Sequence, residues 1–160
     1  MDALAAAIRG IEAGLRIVAA LCLAAMSALV VAQVALRYGG GGVPVFTEEV
    51  ARYAMIWMAM LAAAVAVREG SHIRIDLLPI LLHFRAPWLG VALEAMIDAI
   101  SLTVFLVLVW QGLDMVTFAH GQRSEGLQIR LSYPYAAVPT AFAFASLFAL
   151  GRLLLRSRLT

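Results

Sequence analysis

The chain has 160 residues, 64% of them apolar and 14% charged, with a mean hydropathy of +0.94. That balance lies outside ordinary soluble domains and describes a membrane protein. The net charge of +2 is the arithmetic of arginines gathered at one membrane face and gives no basis for a nucleic-acid partner.

The apolar pattern predicts an all-α fold, a single domain over residues 1–160 with four transmembrane helices. The first span is expected over 17–36, with Ser27 and Gln33 its polar interruptions. It follows Arg9 and Arg16 as a signal peptide would, but its 20 residues exceed a usual signal core and no small-residue cleavage site closes it. An uncleaved span is therefore expected. Cys22, the lone cysteine, sits in its middle, excludes an internal disulfide and reads as a packing residue. Gly39-Gly40-Gly41-Gly42 forms the outer connection; it lacks the lysine and Ser/Thr that a phosphate loop requires.

The second span, over 50–67, is the most informative. Thr47 is placed to cap its first turn, and Glu48 and Glu49 face the positive end of the helix dipole. Arg52 can pair with Glu48 one turn back. Eighteen residues at ~1.5 Å each give about 27 Å, enough for a hydrocarbon core with slight thinning. The charged exit from Arg68 to Asp76 leads into an inner loop, either an interfacial segment lying flat or an ordinary loop. The third span is expected over 91–116 and the fourth over 135–150.

All twelve basic residues are arginine. With the N-terminus inside, Arg9, Arg16, Arg68, Arg74, Arg85, Arg152, Arg156 and Arg158 fall on the inner side. Arg37, Arg52, Arg123 and Arg130 fall outside, so both termini are expected in the cytoplasm. Tyr38, Tyr53, Tyr133 and Tyr135 mark the outer interface and Trp88 the inner. Small residues recur every fourth position at Ala20-Ala24-Ala28, Ala59-Ala63 and Ala62-Ala66, a spacing that suits close helix packing.

Carboxylates inside a span cost about 2.5–3.5 kcal/mol each at mid-bilayer and so seek partners. Glu94 and Asp98 share one face of the third span near its inner end, level with Arg16, Arg68 and Arg152. Asp114 lies near the outer end, level with Arg37 and Arg52. An ion-pair layer at each membrane face is the preferred reading over a proton or ion relay, because 99–110 carries no ionisable group. His72, His83 and His120 fall in loops, which excludes axial haem ligation inside a bundle. A thiol oxidoreductase needs two cysteines. No catalytic, substrate-binding, metal or cofactor residues are assigned, and no enzyme activity is expected.

Leu36-Arg37-Tyr38, Thr47-Glu48-Glu49-Val50-Ala51-Arg52-Tyr53, Trp57 and Arg68-Glu69-Gly70-Ser71-His72-Ile73-Arg74-Ile75-Asp76-Leu77-Leu78 together resemble the small membrane subunit of tripartite ATP-independent periplasmic (TRAP) transporters, the DctQ-like family. The resemblance is strong over 36–78 and loose elsewhere, with Ser124–Leu131 and Pro134–Pro139 as a weaker continuation. The Gly39–Gly42 run and Val45-Phe46 depart from the pattern.

The resemblance implies a scaffold in the bacterial inner membrane. Its partners would be a large TRAP membrane subunit that moves an organic acid with sodium, a periplasmic substrate-binding protein, and membrane lipids. Arg37, Tyr38, Thr47, Glu48, Glu49, Arg52, Tyr53, Trp57, Arg68, His72, Arg74, Asp76, Glu94, Asp98 and Asp114 are the candidate structural or partner-contact residues. Two other functions stay open: a stand-alone small transporter acting through Glu94, Asp98 and Asp114, and a four-span sensor or assembly factor.

Overall fold

The computed structural model describes residues 2–40, 42, 44–69 and 87–156. The inner loop at 70–86, with His72, Arg74, Asp76 and the interfacial segment considered for it, lies outside the described residues. The chain forms α1 (Asp2–Tyr38), α2 (Val45–Glu69), α3 (Pro87–Ala119), the short α4 (Ser132–Tyr135) and α5 (Ala137–Arg156). Among the described residues, four stretches are long and apolar enough to cross a membrane: Ala6–Tyr38, Phe46–Arg68, Ala95–Ala119 and Ser132–Gly151. The expected all-α, four-span fold is the observed one.

Each helix runs beyond the apolar window that announced it. The extension is longest in α1, whose 37 residues at ~1.5 Å reach about 55 Å, well beyond a hydrocarbon core. Charges at Arg9, Glu12 and Arg16 cut the apolar window short without stopping the helix, because Ile8, Ile11 and Leu15 still pack along one face. Glycine ends it. The Gly39 amide donates to the Ala35 carbonyl at 2.8 Å, and Gly40 takes φ +79°, the left-handed turn that closes many helices.

The helices form a row. α1 packs on α2, α2 on α5, and α5 on α3, which leaves α1 and α3 on the flanks. Phe148 of α5 joins Leu15 and Ala19 of α1 and Leu61 and Val65 of α2 in one buried cluster, which closes the inner part of the row. A second cluster places Ala141 and Ala145 of α5 against Ala64 and Val67 of α2, with Phe105 of α3 packed beside it. Phe105 and Phe142 stack with centroids 5.9 Å apart.

The small-residue stripe that brings helices together is on α5. Ala137, Ala141, Ala145 and Ala149 recur every fourth residue and are between 0% and 6% exposed. The stripes expected from sequence do not play that part: Ala20, Ala24, Ala28, Ala59, Ala62 and Ala63 are exposed and Ala66 half-buried. Spacing alone does not say which face turns inward, and α1 and α2 meet through Leu15, Ala19, Leu61 and Val65 instead. α3 reaches α5 through a glycine, since a Cβ at Gly112 would stand 3.1 Å from Pro139 Cβ and Cδ. Pro139 is tolerated because it lies in the first turn of α5, where its missing N–H has no partner to lose.

Ala145→Leu should therefore lower stability by about 1–3 kcal/mol through overpacking. Ala143→Leu, on the exposed face of the same helix, should stay within about 0.5 kcal/mol of the parent. Denaturant unfolding of both variants in detergent, followed by circular dichroism, checks the difference.

Candidate functional site

At its N-terminal end, α2 begins earlier than its apolar pattern suggests. Pro44 precedes the first helical residue, Val45, and the Thr47 hydroxyl and amide both donate to the Pro44 carbonyl, at 2.7 and 3.1 Å. Thr47 therefore sits inside the first turn as a donor, which corrects the expected cap that accepts from helix N–H groups. Proline's fixed φ starts the helix two residues before the threonine. The expected Glu48–Arg52 pair is present at 3.1 Å, on the exposed surface.

Glu49 has a different task. Its Oε1 accepts the Tyr53 hydroxyl at 2.7 Å and its Oε2 accepts the Leu127 amide at 2.7 Å. The second bond ties α2 to the connection between α3 and α4, 78 residues away in sequence. That connection is a small hairpin. Arg123 and Arg130 form an antiparallel bridge, the Ser124 amide donates to the Ile129 carbonyl at 2.8 Å, and the Leu131 amide donates to the Gln122 carbonyl at 3.0 Å. Gln128, with φ +55°, makes its turn, and the Arg123 guanidinium donates to the Gln128 carbonyl at 3.2 Å. His120 supports the base of the hairpin through Arg130 and through the Ser132 hydroxyl, the latter at 3.4 Å. Between α2, this hairpin, α4 and the top of α5 lies a half-open cavity of about 610 Å³.

At the opposite end of the row Glu12 is the organising carboxylate. It accepts from Arg16 of its own helix at 2.7 Å and from Arg68 of α2. Glu12 precedes the first apolar window, so hydropathy alone does not single it out. Its spacing four residues before Arg16 was the available signal. This ion-pair site joins α1 to α2 through Glu12, a residue outside the Glu94 and Asp98 set expected to tie α3 to its neighbours. Asp98 is buried at 4% exposure on α3, while the side chains of Glu94 and Arg152 lie outside the described residues.

The remaining candidate residues are separated. Arg37 and Tyr38 are exposed where α1 ends. Trp57 packs against the cluster that joins α1, α2 and α5. Asp114 is exposed on the outer half of α3, and its backbone carbonyl accepts the Thr117 hydroxyl at 2.7 Å. Hydroxyls deeper in the spans are used locally: Ser101 donates to the Ile97 carbonyl at 2.8 Å, Thr103 to Ala99 at 2.9 Å and Ser146 to Phe142 at 2.8 Å. Among the described residues no group of histidine, cysteine and acidic side chains could hold a metal ion. The arrangement is one of structural locks at the two ends of an apolar row.

Residues 26–159 match the family described as tripartite ATP-independent periplasmic transporters, DctQ component. The chain belongs to this family. Over 108 residues it is 32% identical to the isethionate TRAP transporter permease protein DctMQ of Oleidesulfovibrio alaskensis, a match covering 64% of this chain and 16% of that protein. Over 68 residues it is 41% identical to a TRAP transporter small permease protein of Haemophilus influenzae, covering 42% of each chain. The matched segments thus span less than half the length of either relative. DctQ proteins are transporter components, which is not a class of enzyme.

Glu49→Ala should speed hydrogen exchange at the Leu127 amide by about tenfold or more, with Glu49→Gln intermediate, because the side-chain acceptor holding that amide is removed or weakened. Residue-resolved exchange across 122–131 reads this directly. At the other end, Glu12→Ala should destabilise the chain by about 1–3 kcal/mol by leaving Arg68 without this acceptor. Thermal unfolding in detergent, compared with Glu12→Gln, measures that loss.

Proposed function

We propose that this DctQ-family chain is a scaffold, one folded unit that braces the large membrane subunit of a TRAP transporter and helps dock a periplasmic substrate-binding protein. The complex would take up an organic acid together with sodium. The chain would lie in the bacterial inner membrane with both termini in the cytoplasm, as the arginine distribution favours.

The observation that carries this reading is the row of helices. Only 6% of the most apolar window of α1 and 11% of that of α3 is buried within the chain, against 50% for the last span. Two long flanks are therefore open to lipid or to another protein. On α3 the open face carries Thr103, Gln111 and Asp114 among Val107, Trp110 and Phe118. Polar groups at membrane depth are better placed against protein than against acyl chains, so a helix of the large subunit fits this flank. The locally satisfied hydroxyls of Ser101, Thr103 and Ser146 offer little to a passing ion or acid. Substrate movement accordingly belongs to the partner, while the Glu49-held hairpin presents a fixed outer surface for docking.

Reconstitution tests the division of labour. The purified chain alone in liposomes should show no organic-acid uptake above empty vesicles. Uptake should require the large subunit, the binding protein and a sodium gradient together. Uptake by the chain alone would overturn the scaffold reading in favour of a stand-alone transporter.

A further inference from the structure

The cavity beneath the hairpin has a lining whose chemistry goes beyond a docking surface. Part of its lining is apolar, contributed by the half-buried Ile56 of α2 and Val138 of α5. Its rim carries Arg52 and Arg123 with Ser124 and Glu125. A volume of about 610 Å³ lies within the range of ligand sites. The cavity also lies at the end of the spans where Tyr133 and Tyr135 are exposed, the level of an aromatic belt and of lipid headgroups.

The rim is able to take an oxyanion. Arg52 pairs with Glu48 within one helix turn, and both side chains are more than half exposed, at 63% and 72%. Such a pair is weak in water and yields readily to a better acceptor. Arg123 places one N–H on the Gln128 carbonyl, and a guanidinium has five donors in a fork that suits phosphate oxygens. Ser124 is the sharpest sign. Its side chain is buried at 3% exposure beside the Glu49 carboxylate and the Tyr53 hydroxyl, yet its Oγ completes no hydrogen bond of good geometry with any described residue. A hydroxyl that meets its neighbours only at poor geometry can turn to a better acceptor entering the cavity.

We propose that this cavity binds the phosphate-bearing headgroup of a membrane glycerophospholipid. The phosphodiester lies between Arg52 and Arg123 with Ser124 donating, and the upper acyl carbons run down the Ile56 and Val138 wall. The two carboxylates at the site favour a lipid over a free phosphate ion. Glu49 is already committed to Tyr53 and Leu127, and Glu125 stands exposed at the rim. A small dianion would meet their repulsion without an apolar contact to offset it, whereas a monoanionic diester brings its acyl chains.

The test uses the full chain in detergent, with lipid binding read by native mass spectrometry, and requires no partner subunit. Short-chain phosphatidylglycerol should bind saturably. Glycerol phosphate and the matching phosphate-free diacylglycerol should each bind about tenfold more weakly, a difference of about 1.4 kcal/mol. R52Q combined with R123Q should weaken phosphatidylglycerol binding about tenfold, and R9Q, an exposed arginine near the start of α1, should leave it unchanged. A variant-free arm uses a photoactivatable phosphatidylglycerol on the parent chain, with crosslinks expected within 52–56 and 123–138. Unchanged binding in the double variant, crosslinks confined elsewhere, or equal affinity for either half-molecule would each overturn the lipid assignment.

Discussion

Close approach of α5 to its neighbours is the contact on which the rest of the molecule depends. α5 is the link between the α1–α2 pair and α3, and it makes that link with alanines at 137, 141, 145 and 149. In a bilayer, lipid tails are as apolar as leucine, so exclusion of water does not drive helices together; dispersion between closely fitted surfaces has to. A stripe of methyl groups on α5, and Gly112 facing Pro139 on α3, allow that fit. Larger residues fill the spaces to either side, as Phe105 and Phe142 do by stacking.

Two carboxylates then fix what packing alone leaves free to slide. Glu12 at one end of the row and Glu49 at the other each serve two donors on different parts of the chain. Glu12 sets the axial position of α1 against α2. Glu49 sets the position of the hairpin over α2 and so shapes the outer cavity. Both lie near one end of the candidate span that holds them, Ala6–Tyr38 and Phe46–Arg68, where a charge costs less than at mid-span. The middle of the row is left to apolar contact and to hydroxyls satisfied within their own helices.

A four-span chain could have closed on itself as a bundle and covered all its helices. The row leaves α1 and α3 open along most of their length. This geometry suits a component that completes its packing against another protein, as a member of the DctQ family would in a larger transporter. The open flanks and the hairpin at the end of the row are distinct regions of the molecule. Contact with a membrane partner along the flanks therefore leaves the hairpin and the cavity beneath it available for other contacts.

Sequence by itself determined that the chain is an all-α membrane protein with four spans, because run length and hydropathy are properties of single segments. It also identified the family, and it placed the Glu48–Arg52 pair, which a helical period of about 3.6 residues makes local. Tertiary structure alone decided which alanines were buried, that Glu12 holds Arg68, and that Glu49 reaches Leu127 across 78 residues. Alanine spacing is the same on a lipid face as on a protein face, so the pattern could not choose between 20-24-28 and 137-141-145-149. A carboxylate's partner on another helix depends on how the helices pair and at what height, and no local pattern encodes either.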